Sequence, residues 1–176
     1  MIERPTNLSK KNYLYIQYIY SGVVRSVRFV MSSKHVTAEA DVRAASDQFY
    51  SALEEMANGD AGSMADIWSH EDDVTTMHPI GGREEGWDAV RESWEGVASS
   101  SADGTVTRTD QIIRVIGNSA YELCTESASM TFGAEPISLE GRATNVYRKE
   151  NGEWKVVHHH ADLDTEFAEK VANMGA

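Results

Sequence analysis

The sequence predicts an α+β domain, and three observations predict it together. Apolar residues recur at helical spacing from about residue 38, the period changes to two near residue 105, and Gly- or Asn-bearing turn pairs punctuate the strands beyond that point. Helices first and antiparallel strands after is the α+β plan. A strongly curved sheet wrapped around the long first helix would bury that helix and leave a pocket at the open end.

Each element has a local cause. From 38 to 57, Val42, Ala45, Phe49, Ala52, Leu53 and Met56 fall on one helical face. Asn58-Gly59-Asp60 ends this helix and caps a short second one carrying Met64, Ile67 and Trp68. Ser69-His70-Glu71-Asp72 resembles a capping box and predicts a further brief turn. Val74 to His78 reads as a short strand, stopped by Pro79-Ile80-Gly81-Gly82. After Gly86, the residues Trp87, Val90, Trp94 and Val97 share one face of a third helix that ends near Ala98. Strands follow over 105–116, 119–132, 138–149 and 153 to about 162, and a helical tail closes the chain. Gly117-Asn118 and Asn151-Gly152 are hairpin turn pairs, the second being the strongest such signal in the chain.

Charge narrows the function. The 176 residues carry a formal net charge of −12, unevenly placed. Residues 1–37 hold six Lys or Arg against Glu3, while the remainder holds 10 basic and 27 acidic residues. Such a body repels phosphate backbones, which argues against nucleic acid and for neutral or apolar ligands. The single cysteine, Cys124, excludes an internal disulfide and fits a reducing, cytoplasmic setting. Residues 12–31 are apolar and aromatic, but Gln17, Arg25 and Arg28 interrupt them, which rules out a spanning helix and makes a poor secretory signal. Either this segment is an extra strand or helix packed on the domain or on a partner, or Met31 is the natural start and residues 1–30 are an extension. The expected organisation is a basic leader over 1–37 and one domain over 38–176.

Three local patterns carry a resemblance. Trp68-Ser69-His70 is followed by Asp73-Val74-Thr75 and His78-Pro79-Ile80-Gly81. Gly86-Trp87-Asp88-Ala89-Val90 is followed by Trp94. The run from Asn145-Val146-Tyr147 to Gly152-Glu153-Trp154 is followed by Val157-His158-His159-His160. With the order of elements, these patterns resemble the SnoaL-like branch of the nuclear transport factor 2-like superfamily over roughly residues 40–162. The resemblance implies a cone-shaped, curved antiparallel sheet wrapped around N-terminal helices, the cystatin-like α+β roll. The superfamily includes ketosteroid isomerase, scytalone dehydratase, polyketide cyclases and the non-catalytic association domain of a calmodulin-dependent kinase, so fold alone leaves function open.

At the level of single residues the likeness to the isomerase is partial. The isomerase places its catalytic Asp immediately before a Pro at such a strand end; His78 takes that place here, and an imidazole can still abstract a proton near neutral pH. The isomerase's second acid, which hydrogen-bonds the oxyanion, lines up with Asn145, whose amide can donate that bond. Trp94 lies where the isomerase has a supporting Tyr. Its oxyanion Tyr has no counterpart in register, Tyr50 being nearest at about half a turn. These departures argue against steroid isomerase activity itself.

Alternation in the last strand separates Trp154, Val156, His158, His160 and Asp162 from Lys155, Val157, His159 and Ala161. Lys155 belongs outside, so His158 and His160 are expected on the pocket side, facing His78, unless a bulge swaps the faces. Such a cluster serves acid/base chemistry on a small apolar substrate, a divalent metal shared by His78, His158 and His160, or passive ligand binding. The plain alternative is a hydrogen-bonded wet core or a dimer contact. Tyr50, Trp68, Trp87, Trp94 and Tyr147 are expected to line the pocket. Arg142 reads as a surface ion-pair partner or a carboxylate ligand, and Cys124 lacks a His in register to make it a nucleophile.

The reading is a cytoplasmic, homodimeric SnoaL-like protein that binds a small hydrophobic molecule, with no membrane or nucleic-acid partner, no cofactor and no assigned metal. As an enzyme it would isomerise, dehydrate or cyclise that molecule with His78, Asn145, His158 and His160. The alternative is a non-catalytic ligand-binding or oligomerisation module.

Overall fold

The computed structural model describes residues 13–20, 23–30 and 33–174, with side chains over 37–173. The chain divides into two compact units between Ala38 and Glu39. In the first, β1 (Tyr13–Tyr20) and β2 (Val23–Val30) pair antiparallel with Tyr13 opposite Val30. The candidate start at Met31 lies outside the described residues.

The long helix α1 (Ser33–Met56) begins five residues ahead of the predicted onset. It is followed by α2 (Met64–Ile67), β3 (Thr75–Met77), β4 (Glu84–Glu85) and α3 (Trp87–Ser100). Then come β5 (Ser101–Ile116), β6 (Ser119–Phe132), β7 (Glu135–Glu150), β8 (Glu153–Ala161) and α4 (Thr165–Met174). Ser69 to Asp72 forms no helix; the amide of Glu71 meets Ser69 Oγ at 3.4 Å in a simple turn.

The six-stranded sheet has the order β4-β3-β8-β7-β6-β5. The four long strands form the predicted antiparallel meander. The expectation of a wholly antiparallel sheet is corrected at one edge, because β3 runs parallel to β8. The cause lies upstream: Trp68 already bridges Val156 in parallel sense, and the Ser69 amide donates to the Val156 carbonyl at 2.9 Å. The chain therefore enters β3 travelling along β8. Glu84 and Glu85 add a two-residue strand opposite Thr76 and Thr75.

Curvature comes from β5. Its pairing with β6 is irregular between Ala102 and Thr105 and again between Thr109 and Ile112, with Asp103 and Asp110 both at φ 53°. Such bulges bend a strand and increase its twist. Gly104 lies in the first of them, where a Cβ would come 2.3 Å from the Ala57 Cβ. Asn58 fastens this contact from both sides: its Nδ2 donates to the Gly104 carbonyl at 2.9 Å, and the Gly104 amide donates to its Oδ1 at 3.1 Å. At the β7–β8 hairpin, Asn151 (φ 51°) and Gly152 (φ 96°) both adopt the left-handed conformation a type I′ turn requires.

The core sits between α1 and the inner sheet face. Val42, Phe49, Leu53 and Met56 of α1 meet Trp68, Val90 and Trp94, and the strands contribute Ile113, Tyr147 and Val156.

Candidate functional site

Period two decides which strand residues look inward. On β6 the buried set is Ala120, Glu122, Cys124, Glu126, Ala128, Met130 and Phe132, so two carboxyl groups face the interior. On β7 the buried set includes Ile137, Ala143, Asn145 and Tyr147. On β8 the register slips: Val146 faces His158 but Tyr147 faces Val156, leaving Val157 as the extra residue of a bulge. The bulge turns His159 inward with Trp154, Val156 and Ala161, and leaves His158 and His160 on the other face.

Glu122 is fully buried and heavily hydrogen-bonded. It accepts from Ser46 Oγ at 2.7 Å, Gln111 Nε2 at 2.6 Å, Asn145 Nδ2 at 3.0 Å and Tyr147 Oη at 2.7 Å. Arg108 Nε lies 3.5 Å away. The network extends to the histidines. Because the Asn145 amide nitrogen donates to Glu122, its Oδ1 is left to accept from His159 Nδ1 at 2.7 Å. That places the His159 proton on Nδ1 and a lone pair on Nε2. His78 is fixed in the opposite sense: the Ser93 hydroxyl donates to the Val90 carbonyl at 2.8 Å and so accepts from His78 Nε2 at 3.0 Å. Its Nδ1 keeps the lone pair.

Both imidazoles are neutral at physiological pH. Burial lowers His78 to about 4, and burial together with His78, His158 and His160 holds His159 well below the usual range. Trp94 separates the two rings, edge-on to His78 at 4.4 Å and tilted against His159 at 5.6 Å.

A cavity of about 50 Å³ opens between them. Its polar lining is His78, His159 and Glu126; the rest is apolar, including Trp94, Met130, Phe132 and Phe167 of α4. Glu126 is buried, its Oε2 has no hydrogen-bond partner, and burial pushes its carboxyl up to about 7, with Glu122 adding to the rise and the Tyr50 hydroxyl opposing it. Two neutral imidazoles, one weak acid and the unpartnered indole nitrogen of Trp94 belong to this apolar lining, with no Lys or Arg among the described lining residues.

The structure brings only some of the sequence-predicted residues together. His78 and Trp94 line the cavity. Asn145 stands behind the cavity wall, holding His159. His158 and His160 lie on the other face, their rings 6.4 Å apart, with His158 Nδ1 bonded to Thr75 Oγ1 at 2.7 Å; the β8 bulge is the reason. They are thus separated from His78, and no three His, Cys, Asp or Glu among the described residues are grouped to hold a metal ion. Tyr50, Trp68 and Tyr147 are core residues beside the cavity: Tyr50 bonds Cys124 Sγ at 3.0 Å, Tyr147 bonds Glu122, and Trp68 packs on Phe49. Trp87 lies away from it, stacked on His70 at 4.4 Å, because it opens α3 at the surface. Arg142 is exposed and pairs with Asp162 at 2.8 Å.

His159, Glu122 and Glu126 were not singled out from sequence. The two glutamates had a signal, their shared alternation with Cys124, Ala128 and Met130; His159 had only the alternative of a bulge that swaps the faces of the last strand, and that is the alternative the structure adopts.

A curved sheet wrapped around α1, with a small inner cavity at one end, defines the nuclear transport factor 2-like class of α+β folds. Residues 42–162 match the family model of the SnoaL-like domain, and the chain belongs to that family. Among similar solved structures is a proposed dehydratase of the nuclear transport factor 2-like family from Streptomyces avermitilis, 26% identical, covering 73% of this chain and 97% of that one at a TM-score of 0.65. A proposed calcium/calmodulin-dependent protein kinase type II association domain from Thiobacillus denitrificans is 30% identical, covering 69% and 94% at a TM-score of 0.53. A protein with a cystatin-like fold from Caulobacter vibrioides, 15% identical, covers 78% and 97% at 0.59. No curated protein matches the chain significantly. No described helix is long and apolar enough to cross a membrane.

Proposed function

We propose that the protein binds a small, neutral, hydrophobic molecule in the cavity of His78 and His159 and acts on it by acid/base chemistry, with an imidazole lone pair as the base. The observation that carries this reading is the pair of neutral, differently tethered histidines facing one apolar space. Isomerisation and dehydration both begin with such a proton abstraction. The likeness to a proposed dehydratase at 26% identity supports the same chemistry.

The cavity of about 50 Å³ holds a water-sized guest, whereas ligand sites run from about 300 Å³ upward. Binding therefore goes with withdrawal of Phe167, which packs edge-on against Phe132 from a ten-residue helix near the chain end. Titration with cyclohexanone, followed by ligand-observed NMR, tests this. Wild type should bind weakly and Phe167→Ala about tenfold more tightly, since the occluded state no longer competes. Exchange of the ketone's α-protons in D₂O should be accelerated by wild type and lost in His78→Ala. Absence of binding to both proteins would sink the reading.

A second reading, a cytoplasmic homodimeric assembly module, is favoured by the 30% identity to a proposed association domain. It is also favoured by Ile112 and Leu123, exposed and paired across β5 and β6. Light scattering reports the oligomeric state, and a monomer at micromolar concentration would count against it.

A further inference from the structure

Glu126 is not used by the histidine chemistry, yet it lines the cavity with a buried carboxyl oxygen that has no partner, as does the Trp94 indole with its Nε1. The Glu126 side chain is 6% exposed, faces inward on β6, and leaves Oε2 without a partner. Besides the inner cavity it lines a second one, of about 40 Å³, with Leu139, Gly141 and Ala161, which is edged by the exposed Glu140 and Leu163. Gly141 stands directly across from Glu126 on β7 and carries no side chain to cover the carboxyl's flank. One carboxyl therefore borders an apolar interior space on one side and a route toward solvent on the other.

The groups around it leave one oxygen of that carboxyl without a partner and, among the described residues, set no cation against it. Arg108, its cross-strand neighbour on β5, pairs with Asp47 and approaches Glu122 at 3.5 Å. The Tyr50 hydroxyl of α1 bonds Cys124 Sγ and also hydrogen-bonds the Glu126 carboxyl, partly opposing the rise that burial causes. His78 after β3 and His159 on β8 have their N–H groups committed to Ser93 and Asn145. Glu122 on its own strand, and Glu140, Asp162 and Asp164 along the second cavity, are further acids. Acids and neutral groups on most sides favour a carboxyl that keeps its proton.

We propose that Glu126 determines the ligand specificity of the cavity: its protonated carboxyl donates one hydrogen bond to an oxygen of the neutral ligand and re-equilibrates the proton with solvent through the cavity beside Gly141. The inference rests on the cavity being a ligand site. The preferred ligand class is then an apolar ketone, ether or alcohol, selected over its hydrocarbon isostere. The donor is present at and below neutral pH and disappears as pH rises through about 7.

Two measurements on the full chain decide it. Carboxyl ¹³C NMR, assigned by the signal lost in Glu126→Gln, should show a glutamate titrating near 7. A midpoint near the ordinary glutamate value, or no titration at all, overturns the inference whatever else binds. Affinities for cyclohexanone and methylenecyclohexane should then differ by about tenfold in favour of the ketone at pH 5.5 and converge by pH 8.5, the factor expected for one hydrogen bond. Glu126→Gln should keep the ketone preference at both pH values, and Glu126→Leu should lose it at both. A preference that survives in Glu126→Leu overturns the donor role. If neither probe binds any variant while the midpoint stays near 7, the ligand-site reading falls and takes the donor role with it.

Discussion

Glu122 and Glu126 stand four residues apart on the same face of the same strand, both buried, and they live in opposite circumstances. Glu122 gathers donors from α1, β5 and β7, so every element packed against it contributes a bond. Glu126 has an oxygen with no partner and a cavity on each side. A buried polar group held this completely fixes the position of its neighbours, while one left open is available to something else. The strand thus carries one glutamate that organises the interior and one that costs stability for as long as nothing meets it.

The sharpest way to break the contrast is to remove each carboxyl in turn. Glu122→Leu leaves Ser46, Gln111, Asn145 and Tyr147 without their acceptor and should cost about 3–5 kcal/mol in chemical denaturation. A loss under 1 kcal/mol would mean the network relaxes onto other partners. Glu126→Gln should instead stabilise the protein at pH 8. The folded carboxyl titrates near 7 against an ordinary value of 4.5, so its contribution is fully favourable below 4.5 and is lost as pH rises through 7. The wild type is therefore handicapped at pH 8 by up to about 3 kcal/mol relative to the variant. A stability difference that does not grow between pH 4.5 and 7 would contradict the assignment.

Smaller effects refine the picture. His78→Ala strands the Ser93 hydroxyl's accepting side and thins the contact on Trp94, for an expected cost of about 1–2 kcal/mol. His78 titrates near 4 instead of 6.5, so its share of the acid sensitivity runs opposite to that of Glu126: stability is lost as pH falls below 6.5. The variant should lose less stability than wild type between pH 6.5 and 4. Smallest of all, Glu126→Gln at pH 4.5 should lie within about 0.5 kcal/mol of wild type, because the carboxyl it replaces is already neutral there.

How much of the molecule was legible depended on whether the cause was local. The face of α1 through Val42, Phe49 and Met56 and the Asn151-Gly152 turn are each dictated by a few adjacent residues, and they read directly. The direction of β3 was not legible, since three residues carry no information about their partner and the parallel pairing is set by Trp68 docking on Val156. At the site, His78 was reached through the resemblance to the isomerase, whose catalytic Asp precedes a Pro at such a strand end. His159 entered only through the alternative of a bulge, because one extra residue on β8 is settled by pairing with β7, and strict alternation points to its neighbours instead. Glu122 and Glu126 were hidden by the habit of assigning charged residues to solvent, although their strand's alternation placed them inside.

The extra residue of β8 behaves like a one-letter insertion in a reading frame. Deleting Val157 would restore strict alternation with Trp154, Val156, His159 and Ala161 still on the inner face, so the insertion is silent for the interior. A slip of one position in either direction would present His158 or His160 in place of His159. Three tandem histidines therefore spell the cavity wall redundantly, and an imidazole reaches it in any of three frames.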